Sequence, residues 1–338
     1  MSKASGDWEA RLGRRLRLRD IHILSAVVQW GSMAKAATHL RMTQPSVSEA
    51  IAHLEDALRV RLLDRSPRGI EPTIYANALL KRGLVVFDEL RQGVRDIEFL
   101  ADPTKGEVRV GCPESLTAGI VPAIIDRISR RNPKIVVSVV RAETATFEFP
   151  ELRGRSIDVM LGKITEPLID DELNVEPLFE EDYVVAAGAQ SQWARRRRVT
   201  LADLVNEPWI YMPPNNRISS YLAEAFHVRG LEVPRESVTA FSMHLRADLL
   251  ATGRYLTMMP ASLLRFNAKR WSALKVLPID LGLRPRQCVI ITLKNRTLSP
   301  VVQLFIEHTR AVAKAVSAAL DRSNAATLRR HKRQGSKG

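Results

Sequence analysis

The sequence predicts an α/β protein in two parts: a small all-helical N-terminal unit extended by one long helix, then a larger unit of alternating strands and helices. Three observations carry that prediction. Apolar residues recur at three- and four-residue spacing through residues 18–58, the signature of helices with one buried face. A seven-residue apolar repeat follows within residues 74–100, which marks a helix able to pair with another. From Glu107 onward, strand-length apolar runs alternate with helical stretches, the pattern of an α/β sheet with mostly parallel strands. At 338 residues the chain exceeds one ordinary domain, and the α/β part, about 104–320, has the length of two subdomains.

Charge points to the partner. Lys and Arg number 51 against 37 Asp and Glu, a net of +14, which favours a polyanion, nucleic acid above all. The excess sits at the two ends: +6 over residues 1–82 and +5 over residues 321–338, with −2 over residues 83–100 and +5 spread over residues 101–320. The N-terminus, residues 1–15, reads as a basic extension without the apolar core of an export signal. No apolar run approaches the ~20 residues of a spanning helix, so no membrane partner is expected. Two cysteines, Cys112 and Cys288, cannot build a disulfide framework or a four-ligand zinc site, so a reducing, cytoplasmic setting is expected.

The first helix is expected to bury Leu18, Ile21, Leu24 and Val28 and to end at Trp30 and Gly31. Ser32 is a suitable N-cap for a short second helix with Ala36, Ala37 and Leu40 inward. Small alanines there let two helices cross closely. After Arg41 to Thr43, Thr43 caps a third helix with Pro45 in its first turn. Val47, Ile51, Leu54 and Leu58 form its buried face, while Gln44, Pro45, Ser46 and Ser48 present short or amide-bearing tips at its N-terminal end. Two helices joined by a tight turn, the second offering polar tips at its start, is how a helix-turn-helix enters the major groove. A glutamine pairs with adenine, and a serine suits either strand.

These residues carry a family resemblance. The stretch GSMAKAATHLRMTQPSVSEAIAHLEDALRVRLLDRSPRGIEPT resembles the N-terminal domain of LysR-type transcriptional regulators: a Gly-Ser opening, a double Ala, Gln-Pro-x-Val-Ser, Ile-x-x-Leu-Glu, and a basic wing ending in Thr, all in order. The resemblance implies a winged helix-turn-helix over residues 16–73, with its core at 32–51. It implies that Gln44, Pro45, Ser46 and Ser48 touch base edges and that Ser32, Lys35, Thr43 and the wing residue Arg68 hold phosphates; Ser32 and Thr43 can equally serve only as caps. The sequence departs from the family pattern at Glu49, where a basic residue is usual, at Leu63, where phenylalanine is usual, and at Pro72 and Ala76.

Residues 74–103 read as a linker helix and hinge. Leu80, Phe87 and Val94 stand at seven-residue steps, with Leu90 and Ile97 three residues after the last two, a seam expected to dimerise the chain; the alternative is a helix packed on its own domain. Asp102-Pro103-Thr104-Lys105-Gly106 reads as the hinge.

The half from 104 to 320 resembles the family's effector domain, a two-lobed fold like the periplasmic binding proteins, through GEVRVGCPESLTAGIVP, LRGRSIDVMLG and LLATGRYLTMMP. It departs at Gly253-Arg254-Tyr255, where Arg254 and Tyr255 are expected to narrow the cleft. In an open α/β sheet, ligands bind beyond the carboxyl ends of the strands. Ser115 and Thr117 follow the first strand at a helix start, and Thr144 and Thr146 follow the second; these four are the expected effector contacts, with ordinary capping and turn chemistry as the alternative. The positive balance of this half favours an anionic metabolite, a carboxylate or a phosphorylated compound.

No catalytic constellation assembles. The seven histidines give no i, i+4 metal pair, there is no HExxH, GxGxxG or Walker loop, and Cys112 reads as a small buried residue. Catalytic residues, metal and cofactor are therefore expected to be none. Arg195 to Arg198 reads as a solvated loop, and residues 321–338 as a disordered basic tail that adds nonspecific DNA affinity. The resemblance implies a homotetrameric, nucleoid-associated regulator of promoter DNA that answers a small-molecule effector and contacts RNA polymerase. Two other classes remain: an enzyme using the α/β half, and an architectural DNA-binding protein without an effector.

Overall fold

Each capping signal at the N-terminus forms as the sequence predicts. The computed structural model describes residues 15–66, 69–144, 148–164, 167–213 and 217–335, with the side chains of 217–220 and 321–335 left aside. Helix α1 (Leu18–Trp30) stops at Gly31, whose φ of 61° provides a left-handed C-cap that a side chain would strain. Helix α2 (Met33–Leu40) is capped by Ser32, and helix α3 (Gln44–Leu58) by Thr43 with Pro45 in its first turn. A two-stranded antiparallel hairpin follows, β1 (Leu63–Ser66) against β2 (Gly69–Pro72), and then the long helix α4 (Ile74–Ala101).

The chain divides into two compact units, residues 1–93 and 94–338. The core of the first joins Ile21, Leu24 and Val27 of α1 to Ala36 and Ala37 of α2 and to Val47, Ile51 and Leu54 of α3. Two details differ from the expected pattern. Leu18 is exposed, whereas Ile23, Ala26 and Val27 are buried, because α1 is covered from more than one side and its buried face is wider than one stripe. Leu80 and Phe87 pack against this same core, and the Phe87 ring meets His22 edge-on at 5.8 Å. They are part of the helix-turn-helix unit and not of a free seam.

The second unit holds two five-stranded sheets. The first lobe contains β3 (Lys105–Cys112), the four-residue helix α5 (Glu114–Thr117), α6 (Val121–Arg131), β4 (Lys134–Arg141), α7 (Pro150–Arg153), β5 (Val159–Ile164) and β6 (Leu173–Glu181). The chain then crosses into the second lobe: β7 (Tyr183–Gly188), β8 (Trp209–Tyr211), α8 (Arg217–His227), β9 (Glu236–Thr239), α9 (Met243–Ala251), β10 (Leu256–Pro260), α10 (Ala261–Phe266) and β11 (Leu274–Val276). It returns as β12 (Arg286–Leu293) and ends in α11 (Pro300–Gly335). The strand orders are β4-β3-β5-β12-β6 and β11-β7-β10-β8-β9.

The expectation of mostly parallel strands is corrected. β3 runs parallel to β4 and β5, and β8 to β9 and β10, but β12 is antiparallel to β5 and β6, and β7 to β10 and β11. The reason is topological: a chain that crosses between lobes and comes back inserts its returning strand in the opposite sense. The tail expectation is also corrected, since the last helix continues to Gly335. Ala325, Ala326 and Leu328 are good helix formers, and no proline or glycine interrupts the run before Gly335.

Asp158, which is 1% exposed, ties the first lobe together. Its carboxylate accepts from the Arg109 backbone N at 2.9 Å, from Arg109 Nε at 3.2 Å and Nη2 at 2.7 Å, and from Arg296 Nη2 at 2.8 Å. Arg95 Nη1, from the last turns of α4, adds a contact at 3.4 Å. Burial pushes this carboxyl up, but the Arg109 hydrogen bonds and the Arg109 and Arg296 charges outweigh it, so its pKa lies below the ordinary value. A carboxyl depressed in the folded state stabilises fully above its unfolded pKa of about 3.9, and that stabilisation is lost as pH falls toward the folded value. Asp158→Asn is expected to cost about 3–5 kcal/mol at neutral pH by leaving buried guanidinium groups without their counter-charge. Melting curves from pH 7 to pH 3 check this: the variant is expected to show a shallower acid decline than the wild type, and a parallel decline would refute the assignment.

Candidate DNA-reading helix and effector site

The exposed end of α3 gathers the residues expected to read DNA. Gln44 and Pro45 are exposed, Ser46 and Ser48 half-buried. Thr43 Oγ1 accepts from the Ser46 backbone N at 3.4 Å and lies 2.9 Å from Ser46 Oγ. Ser32 Oγ accepts from the Lys35 backbone N at 3.5 Å, and the Lys35 side chain is exposed. Both cap oxygens accept from a backbone N–H; Thr43 and Ser46 engage one hydroxyl hydrogen between them, which leaves the other, and that of Ser32, for an outside acceptor such as a phosphate oxygen. Arg68 lies outside the described residues. Glu49 is exposed on the same helix, with Oε1 4.0 Å from His53 Nε2, so an acidic group stands where the family places a basic one.

A structural residue that the motif contained without an assigned role is Glu55. Its Oε1 accepts from the backbone N of Leu62 at 2.7 Å and of Leu63 at 3.4 Å, fastening the start of the hairpin to the end of α3. Thr73 closes the other side: its Oγ1 donates to the Arg61 carbonyl at 2.8 Å and accepts from the Ala76 backbone N at 3.3 Å. Ala76 is fully buried, so the departure from glycine there is met by a methyl group inside the core.

Beyond its first turn, where Ile74 and Tyr75 are exposed, the exposed large apolar residues of α4 are Leu84, Val86, Leu90, Val94, Ile97 and Leu100. By the helix's 3.6-residue repeat, Val86, Leu90, Ile97 and Leu100 share one side. The expected seam is thus shifted: Leu90, Val94 and Ile97 remain available, at 53%, 56% and 68% exposure, while Leu80 and Phe87 serve the adjoining core.

The four expected effector contacts fare differently. Thr144 is buried, and its Oγ1 donates to the Lys163 carbonyl at 2.9 Å and accepts from the Lys163 N at 3.4 Å. It fills the space above Gly162, where a Cβ would stand 2.2 Å from Thr144 Cγ2; this is local clamping of β5. Thr117 Oγ1 donates to the Pro113 carbonyl at 3.3 Å and lies 3.1 Å from Cys112 Sγ. Ser115 is buried within the one-turn helix α5, and Thr146 lies outside the described residues. The expected anion site at this helix start is not built, because the helix is a single turn and Glu114 places a carboxylate in it.

That carboxylate bridges the lobes instead. Glu114 Oε1 accepts from the backbone N of Met243, at the start of α9, at 2.7 Å. The Arg141 guanidinium stacks on the Phe241 ring at 3.8 Å, and Asn267 Nδ2 donates to the Ala118 carbonyl at 2.8 Å. Where the chain crosses, Glu181 is buried; it accepts from the backbone N of Ser262 at 3.0 Å and from its hydroxyl, and pairs with Lys163 at 3.5 Å. Burial pulls the Lys163 ammonium down, but Tyr183, Glu181 and Cys288 hold it above its ordinary value.

Of the two residues expected to narrow the cleft, Tyr255 packs on the apolar cluster that Ala118 and Phe241 also join, and Arg254 points to solvent. Arg254 is exposed with its guanidinium over the Tyr255 ring at 5.6 Å, and both precede β10, whereas the interlobe contacts of Ser262 and Asn267 follow it. Five strand residues span roughly 16 Å. The cysteines are not poised as nucleophiles: burial raises the thiol of Cys112, which is also lowered in part by Thr117, and pushes Cys288 up to about 12. Among the described residues no group of three or more His, Cys, Asp or Glu could hold a metal, and no helix is long and apolar enough to cross a membrane.

Residues 18–76 match the family described as bacterial regulatory helix-turn-helix protein, lysR family, and residues 101–314 match the LysR substrate binding domain. The chain belongs to the LysR family of transcriptional regulators. It is similar to the HTH-type transcriptional regulator TdcA of Escherichia coli K12, 25% identical over 84% of this chain and 89% of that one. The regulator GbpR of Azospirillum brasilense is 23% identical over 89% of this chain and 88% of its own. Among solved structures, the full-length LysR family member CbnR in complex with its target DNA shares the fold, with a TM-score of 0.61, 21% identity, and coverage of 88% of this chain and all of that one. This LysR-family chain is therefore a helix-turn-helix regulator with an effector-binding domain, and its family consists of regulators.

Removing the Glu55 carboxylate leaves two backbone N–H groups without their acceptor. Glu55→Ala is expected to destabilise the first unit by about 1–3 kcal/mol. Amide hydrogen exchange reads it directly: Leu62 and Leu63 should lose protection before the α3 core residues do, and unchanged protection at those two would refute the role.

Proposed function

We propose that this LysR-family protein reads an interrupted inverted repeat in promoter DNA as a dimer paired through α4, assembles further into a tetramer, and changes its contact with RNA polymerase when a small molecule binds between the lobes of its second unit. The observation that carries the reading is the N-terminal end of α3, where Gln44 and Pro45 are exposed and Ser46 and Ser48 partly so above a fully packed helix-turn-helix core. A helix end of this kind combines amide and hydroxyl tips with a positive dipole end. Lys35, Ser32, Thr43 and Arg68 would hold the backbone; Gln44, Pro45, Ser46 and Ser48 would meet bases. Glu49 is expected to subtract from phosphate affinity. The setting proposed is the cytoplasm, at the nucleoid, and the protein acts without catalysis of its own.

The α4 assignment rests on physical cost. Leu90 and Ile97 are exposed by more than half on one side of a long helix, and a second copy of that side would cover both. A two-fold protein also matches a two-fold site. For the sensor, Glu114 to Met243 and Arg141 to Phe241 are contacts that a ligand entering the seam would rearrange, so a ligand that prefers one arrangement shifts the population.

Two experiments test the reading. In gel shifts on the DNA flanking the protein's own gene, Gln44→Ala is expected to cost about 1–3 kcal/mol on the specific site and relax its base preference, whereas Lys35→Ala weakens binding to all sequences and lowers the salt slope by about 1. Unchanged specific affinity in Gln44→Ala would overturn the placement of the reading helix. In light scattering, Leu90→Asp with Ile97→Asp is expected to reduce the mass to that of a smaller assembly; retention of the wild-type mass would remove α4 as the interface.

A further inference from the structure

Arg246 stands on the inward face of α9 with Met243, Ala247 and Leu250, and is 2% exposed. Its five N–H donors are unequally served. Nη2 donates to Thr257 Oγ1 and to the Met258 carbonyl at 2.7 Å. Nη1 faces two thioethers, Met212 Sδ at 3.0 Å and Met243 Sδ at 3.9 Å, and Nε has no acceptor among the described residues. Sulfur is a weak acceptor. Burial pulls the guanidinium down to about 10, with Tyr183 and Glu114 acting in the opposite direction, so it remains a cation at neutral pH. No carboxylate forms an ion pair with it among the described residues: Glu114, the acidic group acting on it, accepts instead from the Met243 backbone N.

A buried cation without a counter-charge is costly to maintain. This one lies at the seam between the lobes: Met243, whose sulfur it faces, is the residue held by Glu114 of the first lobe, and Ala118 of the first lobe packs on the same apolar cluster as Met212, Met243, Met259 and Trp271. Methionine side chains have three rotatable bonds and yield their place readily. We infer that Arg246 is the anion receptor of the effector site, and that the effector is a small carboxylate with an apolar body. Its carboxylate replaces the thioethers at Nη1 and takes up the donor at Nε, while the methionines and Trp271 hold the apolar part. A monoanion matches one guanidinium, whereas a dianionic phosphate would bring an uncompensated second charge into an apolar wall. The inference rests on the reading of the second unit as a small-molecule sensor and narrows its ligand to a chemical class.

The test is thermal denaturation of the full-length protein with the sodium salts of acetate, isobutyrate and benzoate at constant ionic strength, each beside its neutral amide. The expected result is a raised melting temperature with at least one carboxylate and none with its amide, and no carboxylate shift in Arg246→Met. The ligand-free Arg246→Met protein is expected to melt at or above the wild type, since an apolar side chain of similar length replaces a buried charge; an arginine with only a structural role would give the opposite. Should Arg246→Met fail to fold, Arg246→Lys decides, because one ammonium cannot reproduce the planar donor set: a carboxylate shift reduced several-fold supports the inference, and an undiminished one overturns it. A shift of equal size with the amides, or one that survives in Arg246→Met, overturns the anion receptor while leaving the sensor in place. No shift with any carboxylate also overturns it, and if a broad panel of neutral metabolites gives none either, the sensor reading falls as well.

Discussion

One buried carboxylate organises the larger unit. Asp158 accepts hydrogen bonds from Arg109 of β3 and from Arg296 beyond β12, and pairs with Arg95 near the end of α4, elements far apart in sequence. Asp158 and Arg296 are almost fully removed from water, with Arg109 and Arg95 reaching in from the edge, so the arrangement depends on the donors being complete; losing Asp158 leaves the buried Arg296 without its counter-charge. β5 begins at the next residue, and β5 carries Lys163, which pairs with Glu181 where the chain crosses to the second lobe. The geometry of the interlobe seam is thus anchored through one strand.

Both units bury acidic side chains, and they differ in what their polar groups fasten. In the first unit Asp20, Asp88 and Gln92 are buried, and the polar fastening described above is at helix ends and hairpin edges: Ser32 and Thr43 as caps, Glu55 and Thr73 as fasteners of the hairpin. That suits an element that presents one rigid surface to its partner. The second unit places ionised groups inside, as Asp158, Glu181, Lys163 and Arg246. Buried charge costs stability but gives a two-lobed body contacts that change with ligand or protonation state. Arg246 differs from the others in facing weak acceptors.

Repetition in sequence did not by itself assign a face. Leu80, Phe87 and Val94 keep a seven-residue spacing, yet Phe87 packs on His22 in its own unit while Leu90 and Ile97 stay exposed. The seven-residue period is shared by any two stripes on one helix, and only the packing of α1 against α4 chooses between them. Similarly, Thr144 follows a strand as a ligand contact would, and its hydroxyl is satisfied by Lys163 from the neighbouring loop-to-strand geometry.

The helix-turn-helix was legible from the sequence alone, because caps, breakers and a 3.6-residue apolar period are local signals: Gly31, Ser32, Thr43 and Pro45 each act within four residues of themselves. The alternation of strands and helices in the second unit was legible for the same reason. Strand direction, the buried ion network and the effector contacts were not, since each depends on residues brought together from well beyond one element, in the longest cases from more than a hundred positions apart, as with Arg296 and Asp158 or Met243 and Glu114. Arg246 had one local signal, a cation at helical spacing among Met243, Ala247 and Leu250. That spacing places it on an inward face; only the tertiary fold decided that thioethers and neutral oxygens, and no carboxylate among the described residues, would meet it there, because the cost of a buried charge depends on its partners and not on its place in the chain.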